Sequence, residues 1–67
     1  MNKVAQRLKE LREEKGLSMR QLAEGMNIPH NYIGRWETGK YEPSIDSIIM
    51  ICNFFGCDSD WLIGLKD

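Results

Sequence analysis

Apolar residues recur along this chain at spacings of three and four, and no stretch alternates for long in the two-residue rhythm of a strand. Val4, Leu8 and Leu11 form one stripe and predict a first helix from about Lys3 to Lys15. Gly16 follows at the position where a left-handed cap is usual. Ser18 and Gln21 then fit an S-x-x-Q capping box, with Leu17 and Leu22 as its hydrophobic staple, so a second helix begins at Ser18. Leu22, Ala23 and Met26 are its inward residues. It ends near Gly25 or Met26, leaving Asn27, which tolerates positive φ, for the tight turn. A third helix is predicted from Pro29 to about Thr38, because the N–H that proline lacks would have no partner in a first turn. Ile33 and Trp36 lie on its inner face, Tyr32 at the edge, and Gly39 stops it. A fourth starts after Pro43, with Ser44 as N-cap and Asp46 near the positive end of the helix dipole. Its body, IDSIIMICNFFG, is apolar on most sides and is expected to be the central buried helix. A short fifth helix is expected near Ser59 to Leu65, capped by Asp58 and stapled by Cys57 and Leu62. The expected fold class is all-α, with five helices.

Sixty-seven residues make a single domain, 1–67, with a small core and a modest margin of stability. A hydrophobic share of 42% argues against disorder. No apolar run approaches the roughly 20 residues that span a bilayer. The opening stretch, MNKVAQRLKELREEKG, has no apolar signal-peptide centre. The expectation is a soluble, cytoplasmic protein with no membrane partner. Cys52 and Cys57 resemble neither a disulfide framework nor a zinc site, which would need about four nitrogen or sulfur ligands with only His30 left to add. Both read as small core residues. No metal or cofactor is expected. One histidine, no metal-ligand cluster and no glycine-rich phosphate loop leave no constellation for catalysis, so an enzyme is not expected.

The stretch IPHNYIGRWETGK, Ile28 to Lys40, carries a polar face made of His30, Asn31, Gly34 and Arg35. Asn can bond bidentately to adenine and Arg to guanine in a major groove, while neutral His offers a single, less discriminating bond. The link before this helix is short. Ala23 one turn earlier, Asn27 inside the link and Ile33 beyond it let two helices cross closely and steeply, as a helix-turn-helix over roughly 18–38 requires.

The run LKELREEKGLSMRQLAEGMNIPHNYIGRWETGKYEPSIDSIIMIC, followed by FFGCDSDWLIG, resembles the lambda-repressor-like helix-turn-helix family, the Cro and phage-repressor type also called XRE. The signature pieces are LR-x-x-K-G-L-S, then L-A, then Y-I-G-x-W-E-x-G-K, then P-S, in order and across nearly the whole chain. The resemblance implies a compact five-helix domain whose third helix lies in the major groove of double-stranded DNA. It maps His30, Asn31 and Arg35 onto base-contacting positions. Arg20, Thr38, Lys40 and Tyr41 are expected on the phosphates, with backbone N–H groups at the start of helix two. It implies that Arg12 and Glu37 form a partly buried ion pair tying helix one to the end of helix three. Three positions depart from the pattern. Pro29 replaces a common Ser or Thr cap, Asn27 a common Gly, and Met19 a Gln that elsewhere touches DNA.

Charge complicates this reading, because the chain carries a net charge of -1. Its distribution resolves the difficulty: residues 1–25 carry six basic and four acidic side chains, 26–42 two of each, and 43–67 one basic and four acidic. The acidity of Asp46, Asp58, Asp60 and Asp67 belongs to the C-terminal part, and screening over roughly 8–10 Å limits its reach. Few phosphates would be neutralised per copy, so two copies are expected. Trp61, Ile63 and Leu65 exceed what a short terminal helix needs to close its own core, and they are the expected homodimer interface. The leading expectation is a transcription regulator, a repressor at a two-fold symmetric operator. A different class of function, an antitoxin or other module that masks a protein partner such as a toxin or anti-repressor, would use the same fold.

Overall fold

A computed structural model describes residues 2–67. It contains five helices, α1 (Val4–Glu14), α2 (Met19–Met26), α3 (Asn31–Glu37), α4 (Ile45–Phe55) and α5 (Ser59–Ile63), and no strand among the described residues. No helix described is long and apolar enough to cross a membrane.

Local chemistry explains most of the boundaries. Both halves of the Ser18–Gln21 box form: the Gln21 N–H donates to Ser18 Oγ at 3.0 Å and the Ser18 N–H to Gln21 Oε1 at 2.8 Å. α2 ends on Asn27, which adopts the left-handed conformation (φ 58°, ψ 46°), and the Ile28 N–H then reaches back to the Ala23 carbonyl at 3.0 Å. α3 starts two residues later than the sequence predicts. His30 is its N-cap, and Pro29 lies before it with a carbonyl that accepts from the Tyr32 N–H at 3.2 Å. Ser44 caps α4 through the Ser47 N–H at 3.1 Å. Asp58 stands at the head of α5, yet no side-chain capping bond forms there. Its carboxylate instead meets Lys66 Nζ at 2.8 Å, which holds the carboxyl below its ordinary range.

The core draws on every helix: Val4 and Leu8 from α1, Leu22, Ala23 and Met26 from α2, Ile33 and Trp36 from α3, Ile51 from α4 and Leu62 from α5. Full burial of such side chains contributes roughly 1.5–3 kcal/mol each. Ala23, completely buried, permits the close approach of α2 and α3. Phe54 lies against α2 so tightly that a Cβ at Gly25 would come within 3.0 Å of its ring.

α4 is not the central buried helix that its composition suggests. Only Ile51 is fully buried; Ile48, Cys52 and Phe55 lean on the core at its edge, while Ile45 is 80% and Ile49 53% exposed. α4 packs against α2 and α5. No other described helix covers the side that carries Ile45 and Ile49.

Two arginines are buried with the core. Arg12 faces Glu37 through two bonds, Nε to Oε2 at 2.7 Å and Nη2 to Oε1 at 3.0 Å, and its Nη1 donates to the Leu17 carbonyl at 2.8 Å. The side chains are only 11% and 2% exposed. The hydrogen bond to Glu37 raises the Arg12 pKa further above its already high ordinary value. One guanidinium thus joins the end of α1, the α1–α2 loop and the last residue of α3. Arg7 donates through Nη1 to the carbonyls of Trp61 and Lys66 and lies 4.8 Å from the centre of the Trp61 ring, so α1 also holds α5 and the chain that follows it.

Two stability outcomes follow from these contacts. Glu37→Ala strands a buried guanidinium and should cost about 3–5 kcal/mol in chemical denaturation, whereas Arg12→Met with Glu37→Leu should recover most of that loss. Asn27→Val should cost about 1–2 kcal/mol because a β-branched residue resists the left-handed conformation, while Asn27→Gly should change stability by about 0.5 kcal/mol or less in the same assay.

Candidate nucleic-acid interface

α3 is a two-sided element. Ile33 and Trp36 are buried against α1 and α2, and the Tyr32 ring meets Trp36 edge to face with centroids 5.9 Å apart. On the other side His30, Asn31 and Arg35 are exposed to solvent. The sequence-predicted reading residues are therefore brought together on one surface. Gly34 is half-buried between them, and a Cβ there would lie 3.7 Å from the Met19 sulfur. Met19 thus brings an apolar edge of α2 up to the backbone of α3.

Arg35 is held from below. Its guanidinium carbon sits 5.3 Å from the centre of the Tyr41 ring, and the Tyr41 N–H donates to the Arg35 carbonyl at 3.2 Å. The Thr38 hydroxyl donates to that same carbonyl at 3.2 Å. Two of the four expected phosphate ligands thus have a local duty in the structure. Tyr41 supports a long, flexible side chain, and Thr38 directs its hydroxyl hydrogen into its own helix end. Lys40 is exposed on the turn between them.

Arg20, on the first turn of α2, is exposed and approaches Glu24 at 3.8 Å. His30 Nε2 approaches the same carboxylate oxygen of Glu24, also at 3.8 Å. Glu24 therefore stands between a predicted phosphate ligand and a predicted base reader. The four-residue spacing of Arg20 and Glu24 was visible in the sequence; the approach of His30 depends on how α3 crosses α2. At the head of α2 the Gln21 N–H is taken by Ser18, which leaves the N–H groups of Met19 and Arg20 in the first turn with no acceptor inside the helix. Free N–H groups at a helix start suit an anionic oxygen.

The predicted interface residues Trp61, Ile63 and Leu65 are not part of this surface. α5 packs on α1 and α4. Trp61 and Ile63 are half-buried against the core, with Arg7 over the indole, and Leu65 is 74% exposed. Arg7 has no counterpart in the sequence reading, although its position between Val4, Leu8 and Leu11 on the apolar stripe was a signal. Among the described residues, no group of three or more His, Cys, Asp and Glu side chains gathers as a metal site.

The profile of a helix-turn-helix family matches residues 8–62. The chain is similar to the HTH-type transcriptional regulator ImmR of Bacillus subtilis, 30% identical over 61 residues that make up 91% of this chain and 48% of ImmR. It is also similar to the immunity repressor protein of Bacillus phage phi105, 31% identical over 61 residues, 91% of this chain and 42% of that protein. The chain thus spans about half the length, or less, of these relatives. The crystal structure of a transcriptional regulator from Listeria innocua superposes with a TM-score of 0.87 at 27% identity, covering 100% of this chain and 63% of the other. A profile match across most of the chain agrees with the crossing of α2 and α3 and the polar outer side of α3, and the chain belongs to the XRE-type helix-turn-helix family of DNA-binding transcription regulators.

Proposed function

We propose that this chain is the DNA-reading unit of a transcription repressor that recognises a two-fold symmetric operator as a homodimer. The observation that carries the reading is the exposed set His30, Asn31 and Arg35 on a helix whose opposite side is anchored by Ile33, Trp36 and the Arg12–Glu37 pair. Asn31 and Arg35 present bidentate partners for adenine and guanine, and His30 adds one further bond. Stacking on Tyr41 reduces the freedom that Arg35 must lose on binding. The Met19 sulfur beside Gly34 offers an apolar contact suited to a thymine methyl group.

Arg20, Lys40 and the N–H groups of Met19 and Arg20 hold the phosphates, with Tyr41 and Thr38 acting chiefly through Arg35. Two copies suit an operator of two half-sites. The longest extent of the domain is 28 Å, and adjacent half-sites on one face of DNA lie roughly 34 Å apart. Leu65, with the outer edges of Trp61 and Ile63, supplies the contact between copies. The similarity to a phage immunity repressor supports repression as the outcome. Such a protein works in the cytoplasm, where its DNA is.

Selection of bound sequences from random duplex DNA tests the reading directly: an inverted repeat should emerge, and binding indifferent to sequence would refute it. Within the selected site, Arg35→Ala should cost about 1–3 kcal/mol and relax preference at one base position. Tyr41→Ala should relax the same position by a smaller amount, whereas a uniform loss on all sequences would assign Tyr41 to the phosphates. Glu24→Gln removes a negative charge beside Arg20 and His30. It should tighten binding by about threefold to tenfold at low salt, with the gain shrinking as salt rises.

A further inference from the structure

α4 ends on Gly56 in the left-handed conformation (φ 69°, ψ 35°), and the chain doubles back on itself there. The N–H groups of Gly56 and Cys57 both donate to the Cys52 carbonyl, at 2.7 and 3.1 Å. Standard backbone dimensions then cap the separation of the Cys52 and Cys57 Cα atoms at about 7 Å, and every bend in the path shortens it. Disulfides span about 4.4–6.8 Å between Cα atoms. This kind of helix end also turns the two flanking side chains toward one another. Cys52 and Cys57 both pack against the same buried cluster, and both are half-buried thiols. Cys57 also lines an open groove with Leu11, Trp61 and Lys66, so small reagents reach it.

We propose that Cys52 and Cys57 are a redox-active dithiol that closes reversibly to an intramolecular disulfide across the α4–α5 joint. The oxidant is a low-molecular-weight disulfide. One cysteine sulfur, as thiolate, attacks a sulfur of that disulfide, forms a mixed disulfide and expels one small thiolate. The other cysteine sulfur then attacks the mixed disulfide at the first cysteine, forms the internal bridge and expels the second small thiolate. Two electrons pass to the small molecule, and the two protons of the cysteines end on the two small thiols released.

The surroundings favour this product over an ionic one. Glu14, Asp58 and Asp67 line the groove beside Cys57. Burial, then the neighbouring Cys52, pushes the Cys57 thiol from its ordinary 9.0 up to about 11, with Asp58 adding to the shift. A persistent thiolate is therefore disfavoured. A bridge is neutral and apolar, and it suits a half-buried position against the core. A pair of thiolates on a soft monovalent metal would retain a net negative charge there. Zinc would require about four ligands, which this site does not assemble.

The intact chain, equilibrated in glutathione buffers of increasing oxidised fraction and then alkylated under denaturing conditions, tests the proposal. Reduced protein takes up two alkyl groups, one for each cysteine. As the oxidised fraction rises, both labels should disappear together, with the loss of two hydrogen masses, on a chain that remains monomeric on a non-reducing gel. Excess dithiol should restore both labels. Cys52→Ser and Cys57→Ser, conservative enough to keep the fold, should each instead accumulate one glutathione per chain. Three results would overturn the idea: two labels persisting in fully oxidised buffer, a stable glutathione adduct on the unaltered chain, or bridging only between chains.

Discussion

The contact on which the rest of the structure depends is the one between Arg12 and Glu37. Glu37 is the last residue of α3, at the negative end of a helix dipole and almost wholly out of water. A lone carboxylate there is doubly unfavourable. Arg12 removes both costs with two parallel bonds, and its third nitrogen, Nη1, ties down the Leu17 carbonyl in the loop before α2. Apolar side chains of similar volume would hold the helices together as well as a buried ion pair does. What apolar contact does not supply is direction. A planar fork meeting a planar carboxylate sets how far α3 is rotated about its axis, and that rotation decides which residues leave the protein surface. With Ile33 and Trp36 drawn inward, His30, Asn31 and Arg35 have no other place to be than outside.

Electrostatics operate at the same short range. A net charge of -1 says little about a surface whose cations are concentrated in the first 25 residues and whose C-terminal carboxylates lie partly on α5, a helix packed on α1 and α4. At moderate salt the field of such carboxylates decays over roughly 8–10 Å. Glu24 is different, because it stands within 3.8 Å of both Arg20 and His30. It keeps Arg20 partly satisfied within the protein and stands beside the His30 ring. Neither pair is buried, so each is worth little to stability. Their effect falls on how strongly, and how indiscriminately, this edge attracts phosphate.

Much of this arrangement was legible in the sequence wherever one short motif decides the outcome. Ser18 with Gln21 specifies the start of α2, and Asn27 supplies a residue that accepts the left-handed turn. The spacing of Ile33 and Trp36 separates the inner side of α3 from the outer. The meeting of Arg12 with Glu37 came from family resemblance, because residues 25 apart carry no local signal. What escaped the sequence depends on tertiary placement. The apolar run of α4 reads as a buried helix, but burial requires neighbours on all sides, and Ile45 and Ile49 lie on its open side. The stacking of Arg35 on Tyr41 depends on the path of the loop after α3. Arg7 was not singled out in the sequence, yet it sits on the apolar stripe of α1 and spends its donors on the chain around α5. The two cysteines were read as small core residues and not as a disulfide framework, and only the reversal at Gly56 brings their backbones close.

The most direct measurement of the central claim is a nuclear magnetic resonance titration of the labelled chain with its selected duplex. The largest shift changes and the strongest contacts to base protons should arise from His30, Asn31 and Arg35, with smaller changes at the head of α2. Perturbations confined to α4 and α5, with the outer side of α3 left unchanged on a bound duplex, would contradict it.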